Sequence, residues 1–145
     1  MTTTDNEMIV RRFYEEVLSQ GKVEVLDEIV DQNFMDHGEA LFGSPKGREI
    51  LKQSISATHG ILDKFTVTLE EIIAEGDLVG VRGTMRCIHR GAFLGVAPTG
   101  NELTWKGIAM FRLEGGKIEE RWFNSDSISI LRQLGLTASR VQDVD

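Results

Sequence analysis

Apolar positions recur with a helical period through the first third of the chain and with a period of two through most of the rest. Over residues 6–19, Met8, Ile9, Phe13, Val17 and Leu18 fall broadly on one stripe, which predicts an amphipathic helix. Thr4 or Asp5 is placed to cap its start, and Gln20-Gly21 to stop it. Residues 23–30 predict a second short helix. The run Phe34-Met35-Asp36-His37-Gly38 breaks the period, and a loop with Gly43, Pro45 and Gly47 follows. A third helix is expected over residues 46–60, with Ile50, Leu51 and Ile55 apolar. His59 lies near its C-terminus, where the helix dipole favours a positive charge.

From Lys64 the alternation takes over. Phe65, Val67 and Leu69 alternate with Thr66, Thr68 and Glu70, and Glu75-Gly76-Asp77 is a hairpin signal. Val79, Val81, Gly83, Met85, Cys87 and His89 share one face of a long second strand. Residues 91–100 form a Gly-rich loop, and a third strand puts Trp105, Gly107, Ala109 and Phe111 on one side. Glu114-Gly115-Gly116 turns the chain into a fourth strand and a short final helix. Helices first and antiparallel strands afterwards make an α+β fold. We expect a bent sheet with the helices packed on its concave face, its curvature eased by Gly80, Gly83 and Gly107. Residues 1–136 form a single domain, and residues 137–145 a polar tail.

The fourth strand carries the candidate chemistry. Strict alternation sets Ile118, Glu120, Trp122, Asn124 and Asp126 on one face. Apolar surface beside Asp126 would raise its pKa, and a hydrogen bond from Asn124 would offset that. Such a carboxylate can take a proton from carbon flanked by carbonyls. Asp is also a preferred N-cap, so the same residue reads equally as the cap of the final helix. His89, at the end of the second strand, is a candidate partner for developing charge or a surface histidine in a turn. Glu120 is expected to pair with Arg82 or Arg112. Tyr14, Phe93 and Trp105 are candidate pocket walls, with Met85 and Met110 shaping the space, and His37 either lines the pocket or bonds within a loop.

Composition narrows the function classes. A formal net charge of −7 disfavours nucleic acid and anionic membrane surfaces as partners. The lone Cys87 excludes an intrachain disulfide and a Cys-rich zinc site. His37, His59 and His89 lack metal-ligand spacing, and no phosphate loop, dinucleotide fingerprint or nucleophile elbow is present, so no metal or cofactor is expected. No segment approaches membrane-spanning length, which leads to a cytoplasmic expectation.

Four motifs stand in order. They are Phe34-x-Asp36-His37-Gly38; Glu75-Gly76-Asp77-x-Val79; His89-Arg90-Gly91-Ala92-Phe93-Leu94-Gly95 with Pro98-Thr99-Gly100; and Gly116-Lys117-Ile118-x-Glu120-x-Trp122 with Asp126 and Gln133-Leu134-Gly135. Over residues 6–135 their order and spacing resemble the SnoaL-like polyketide (ester) cyclases of the nuclear transport factor 2-like superfamily. The resemblance implies a cone-shaped α+β barrel around a deep pocket and a hydrophobic small-molecule substrate. It further implies intramolecular aldol ring closure by one aspartate acting as general acid/base, without metal or cofactor, in a homo-oligomer (dimer or tetramer). It carries the aspartate's role onto Asp126, the strand-to-loop histidine onto His89, and pocket lining onto His37 and Trp122. Cys87-Ile88-His89 departs from the family's usual Gly-Thr-His. The same barrel hosts dehydratases, epoxide hydrolases, isomerases and non-catalytic binding modules, among which fold alone does not choose.

Overall fold

Thr2 opens the first helix of the computed structural model, which describes residues 2–38 and 41–136. Its hydroxyl accepts from Asp5 N while the Asp5 carboxylate accepts from Thr2 N, both at 3.0 Å. This reciprocal capping box starts α1 (Thr3–Arg12) ahead of the expected Thr4 or Asp5. A π-helical stretch, Phe13–Leu18, continues it and buries Phe13, Tyr14 and Val17 together. The expected second helix is a 3-10 turn (Val23–Val25) followed by α2 (Leu26–Ile29), because Val30 already belongs to a strand.

That strand, β1 (Val30–Asp36), lies outside the four expected strands. It runs parallel to the last strand, so the sheet is mixed rather than wholly antiparallel. Asp31, Gln32 and Asn33 interrupt its alternation, which is why the pattern hides it. Next come α3 (Arg48–Ile61), β2 (Leu62–Glu75), β3 (Leu78–His89), β4 (Glu102–Glu114), β5 (Lys117–Ser125) and α4 (Ser127–Gln133). The strand order is β1-β5-β4-β3-β2, with no pairing between β1 and β2 to close a barrel. Gly76, Gly115 and Gly116 take positive φ (58°, 58° and 81°) at the two hairpin turns, where L-residues with side chains are strained. Among the described residues no helix is long and apolar enough to cross a membrane. The polar tail lies outside the described residues.

The inner sheet face follows the expected alternation on β3 and β4. Val79, Val81, Cys87 and His89 are buried, as are Leu103, Trp105, Phe111 and Leu113. Two apolar clusters result. One joins Phe13, Tyr14, Ile29, Phe34, Phe111 and Ile118; the other joins Leu62, Phe65, Cys87, Trp105 and Ile130. Gly83 and Gly107 oppose each other across β3 and β4. Lacking side chains, they leave the sheet surface low there. A Cβ on Gly107 would stand 2.9 Å from Met85 Cε and 3.2 Å from the Asn124 carbonyl oxygen.

One irregularity redirects β5. Leu113 pairs with Ile118, but Arg112 pairs with Glu120, so Glu119 is an extra residue on β5. A β-bulge of this kind shifts the side-chain alternation by one. Ile118 is fully buried opposite Leu113, whereas beyond the bulge Arg121, Phe123 and Ser125 stand opposite Phe111, Ala109 and Gly107. The expected common face of Ile118, Glu120, Trp122, Asn124 and Asp126 is therefore split, and the residues after the bulge are displaced to the outer side.

The rings of Phe13, Tyr14 and Phe111 meet edge-on at 5.5–5.7 Å, and Phe111 is fully buried. Phe111→Ala is expected to lower unfolding free energy by about 3–5 kcal/mol, read from urea denaturation at constant m-value. A loss below about 1 kcal/mol would show that this cluster does not hold the helices to the sheet.

Candidate active site

A cavity of about 120 Å³ lies between α3, the π-helical stretch and the inner face of β2–β5. Its walls are mainly apolar: Leu18, Leu51, Ile55, Phe65, Val81 and Trp105 contribute, and the Gly83–Gly107 depression lies in its floor. Few side chains give it polarity. Tyr14, Ser54, Thr58, His59 and Arg121 are the ones with distinct chemistry, and Ser125 also borders it.

Arg121 is the strongest charge on the wall. Its Nε donates to Asp36 Oδ2 at 3.1 Å, and its Nη2 donates to the same oxygen. The parallel register sets Asp36 beside Arg121, and Asp36 is buried. The guanidinium lies over the Phe13 and Phe123 rings, 5.1 and 4.6 Å from their centroids, which adds cation–π attraction. Asp36 Oδ1 has no partner among the described residues. Tyr14 is enclosed nearby. Burial pushes its phenol pKa well above the usual range; Arg121 pulls the other way and Asp36 adds to the rise. Tyr14 is thus a protonated donor at neutral pH.

His59 reaches the cavity from the last turn of α3. Its ring meets Phe65 edge-on at 5.9 Å, and its buried Nε2 has no hydrogen-bond partner among the described residues. Gly21 flanks the ring: a Cβ there would be 3.8 Å from it. Helix-end electrostatics, the reading suggested by the sequence, therefore omits the cavity contact. The sequence likewise pointed away from Arg121, because strict alternation through Glu119 puts it on the outer face. The sequence did contain one signal, since Asp36 directly follows the apolar pair Phe34-Met35.

Of the residues singled out from sequence, Tyr14 and Trp105 border the cavity, and Asn124 reaches its edge. Phe93 instead borders a neighbouring, more open cleft together with Leu41 and Ala92; Phe42 borders both spaces. His37 and Trp122 are not on the cavity wall, correcting the pocket-lining expectation. Their rings stack on the outer side, 5.0 Å apart and 10° from parallel, beyond the bulge that turns Trp122 outward. Glu120 holds them in a small network. His37 Nε2 lies 2.7 Å from Oε2, and Arg112 Nε donates to Oε1 at 2.8 Å. The expected Glu120–Arg112 pair is present, and His37, then Arg112, keep the Glu120 carboxyl below its ordinary pKa.

His89 is fully buried, not a surface histidine, and it does not line the cavity. Its Nδ1 accepts from Thr99 N at 3.3 Å, which assigns the neutral ring's proton to Nε2. Its backbone also bonds Asn101 and Gly100, so the residue anchors both ends of the Gly-rich loop. Asp126 is exposed. Its Oδ1 accepts from Ser129 N at 3.1 Å, making it the N-cap of α4. Cys87 is enclosed, and burial pushes its thiol up to about 12, so it stays protonated. Among the described residues, no group of three or more His, Cys, Asp or Glu side chains is arranged to hold a metal.

Known structures share this architecture. IdmH of Streptomyces antibioticus, assigned as a polyketide cyclase, superposes with a TM-score of 0.78 at 29% identity, over 94% of this chain and 100% of IdmH. A SnoaL-like polyketide cyclase assigned in Jannaschia sp. CCS1 gives 0.83 at 22% identity, covering 93% of this chain and 94% of its own. AclR of Streptomyces galilaeus, assigned as a hydroxylase, gives 0.80 at 19%, covering 92% and 98%. At these last two identities the likeness is one of fold. No curated protein matches the chain. The family model for SnoaL-like polyketide cyclases matches residues 8–134, nearly the whole described chain. With the mixed sheet, the helical cover and the apolar cavity all in place, the chain belongs to the SnoaL-like polyketide cyclase family.

Proposed function

We propose that the chain is a cofactor-independent cyclase acting by general acid/base catalysis on a hydrophobic carbonyl compound bound in the inner cavity. The observation that carries this reading is the cavity's make-up: apolar walls with a few convergent polar groups, the usual form of a site for a small apolar molecule with one or two oriented oxygens. In an intramolecular aldol closure, a base removes a proton from carbon next to a carbonyl. The resulting enolate carbon attacks a second carbonyl of the same molecule, and an acid protonates the alkoxide formed.

Two residues are candidates for moving the proton. Asp126, which the family resemblance favours, follows the cavity-bordering Ser125 and presently caps α4. His59 is on the cavity wall, and its buried Nε2 has no hydrogen-bond partner among the described residues. His89 anchors the Gly-rich loop that borders the neighbouring cleft rather than the inner cavity. The exposed, capping Asp126 is the observation that favours a second reading, a binding module that holds its ligand without reacting.

The outer sheet face supports self-association. Ile73, Met110 and Trp122 are exposed, and the register aligns them through Gly80 in one row across β2–β5. We propose a homo-oligomer built on this row.

Substitution at Asp126 separates chemistry from capping. Asp126→Ala should cost about 1 kcal/mol of stability, whereas Asp126→Asn should be nearly neutral because Asn caps equally well. Turnover of poly-β-carbonyl esters, followed by mass spectrometry, should fall at least about 100-fold in the residue that is the base. Loss in Asp126→Asn alone assigns it there, and loss in His59→Gln alone assigns the imidazole. Full activity in both variants would overturn the acid/base reading. For the outer face, Met110→Glu should convert an oligomer to a monomer by light scattering; a wild-type chain already monomeric at high concentration would refute the proposed association.

A further inference from the structure

We propose that Arg121 and Tyr14 form an oxygen-anion site in the cavity, where they bind the enolate or phenolate-type oxygen of a ring-sized ligand. This rests on the apolar-ligand reading above but assigns two residues that sequence alternation had hidden or left as simple walls.

The hydrogen-bond geometry supports the assignment. A guanidinium carries five N–H donors in a fixed planar fork. Two nitrogens of Arg121, Nε and Nη2, are spent on one oxygen of Asp36. Nη1 makes no hydrogen bond to a described residue, and Arg121 borders the cavity. Asp36 and the Phe13 and Phe123 rings fix the guanidinium plane, so the remaining donors are held in place before any ligand arrives. Pre-positioned donors on apolar walls are what stabilises charge that develops on oxygen.

Tyr14 supplies a second donor of a suitable kind. It borders the same cavity, and the charges of both Arg121 and Asp36 act on its hydroxyl. Enclosure keeps that hydroxyl protonated, so it donates rather than competes as an anion. Asp36 also limits which ligand is suited. It neutralises Arg121 overall, so a permanently charged carboxylate gains little net attraction. An oxygen that becomes anionic only after losing a proton benefits from the local donors without a standing cation having to be left unpaired.

The cavity of about 120 Å³ is close in size to the roughly 150 Å³ apolar cavity that accepts benzene, so a single-ring probe matches its scale. 4-Nitrophenol is therefore the test probe, with nitrobenzene as its oxygen-anion-free control. At a pH where the probe is ionised, binding of each is measured by absorbance and calorimetry to the wild-type chain, Tyr14→Phe and the double variant Asp36→Asn/Arg121→Gln. The double variant removes both charges together, so no unpaired buried carboxylate is left to unfold the protein. Tyr14→Phe keeps the ring and hence the packing.

The preference for 4-nitrophenolate over nitrobenzene should fall at least about tenfold in the double variant and several-fold in Tyr14→Phe, with nitrobenzene affinity unchanged. An equal preference in all three proteins would overturn the oxygen-anion site while leaving the apolar-ligand reading standing. Failure of the wild-type chain to bind either probe would overturn the oxygen-anion site and count against that reading too.

Discussion

The ion pair between Asp36 and Arg121 joins the one parallel edge of the sheet to its antiparallel body. β1 has no hairpin to hold it to β5, and the two meet with an irregular register between Val30 and Met35. At the far end of that register the two charges face each other, and the guanidinium is clasped by Phe13 from the helical layer and Phe123 from the sheet. Helix, edge strand and the strand beside it thus meet at one side chain. Desolvating both charges is costly, and a buried pair of this sort often adds little net stability. Removing only one partner, by contrast, strands the other. The pair acts chiefly as a registry device, and its location on the cavity wall makes the same device available to a ligand.

Much of the fold was legible because most elements obey one period. β3 and β4 alternate without interruption, and their inner residues are those the alternation selects. The α3 stripe was legible for the same reason, through Leu51 and Ile55. β1 was not, because three successive polar residues mask a strand whose burial is set by its neighbours in space rather than by its own pattern. The candidate site was less legible than the fold. Glu119 has no sequence mark that identifies it as a bulge, and a single-residue insertion exchanges the two faces of everything beyond it. Trp122 then stacks with His37 outside the cavity, while Arg121 takes the inward position.

The local readings of the two histidines fall short for a related reason, His89 in its burial and His59 in its cavity contact. His89 looked like a turn residue because Arg90 and Gly91 follow it, yet burial depends on the fold of the loop back over it, through the bonds to Thr99 and Asn101. His59 looked sufficiently explained by the helix end. Only the packing of Gly21 and Phe65 around its ring shows that the last turn of α3 is also a cavity wall.

These placements divide the site into two electrostatic zones. Outside the cavity lining, Asp126 is exposed and its carboxylate is engaged with the first turn of α4. Inside, Tyr14 is neutral, Arg121 is offset by Asp36, and His59 Nε2 has no partner among the described residues. An interior with fixed donors and little net charge stabilises a charge that appears during reaction more than one carried in by the ligand. A base at either location then has a clear division of labour with the interior. In the proposed reaction it would remove the proton, and the donors around Arg121 would stabilise the oxygen that receives the electron pair. Chemistry of this kind asks for fixed polar geometry in an apolar space, and the buried ion pair supplies that geometry while still serving the fold.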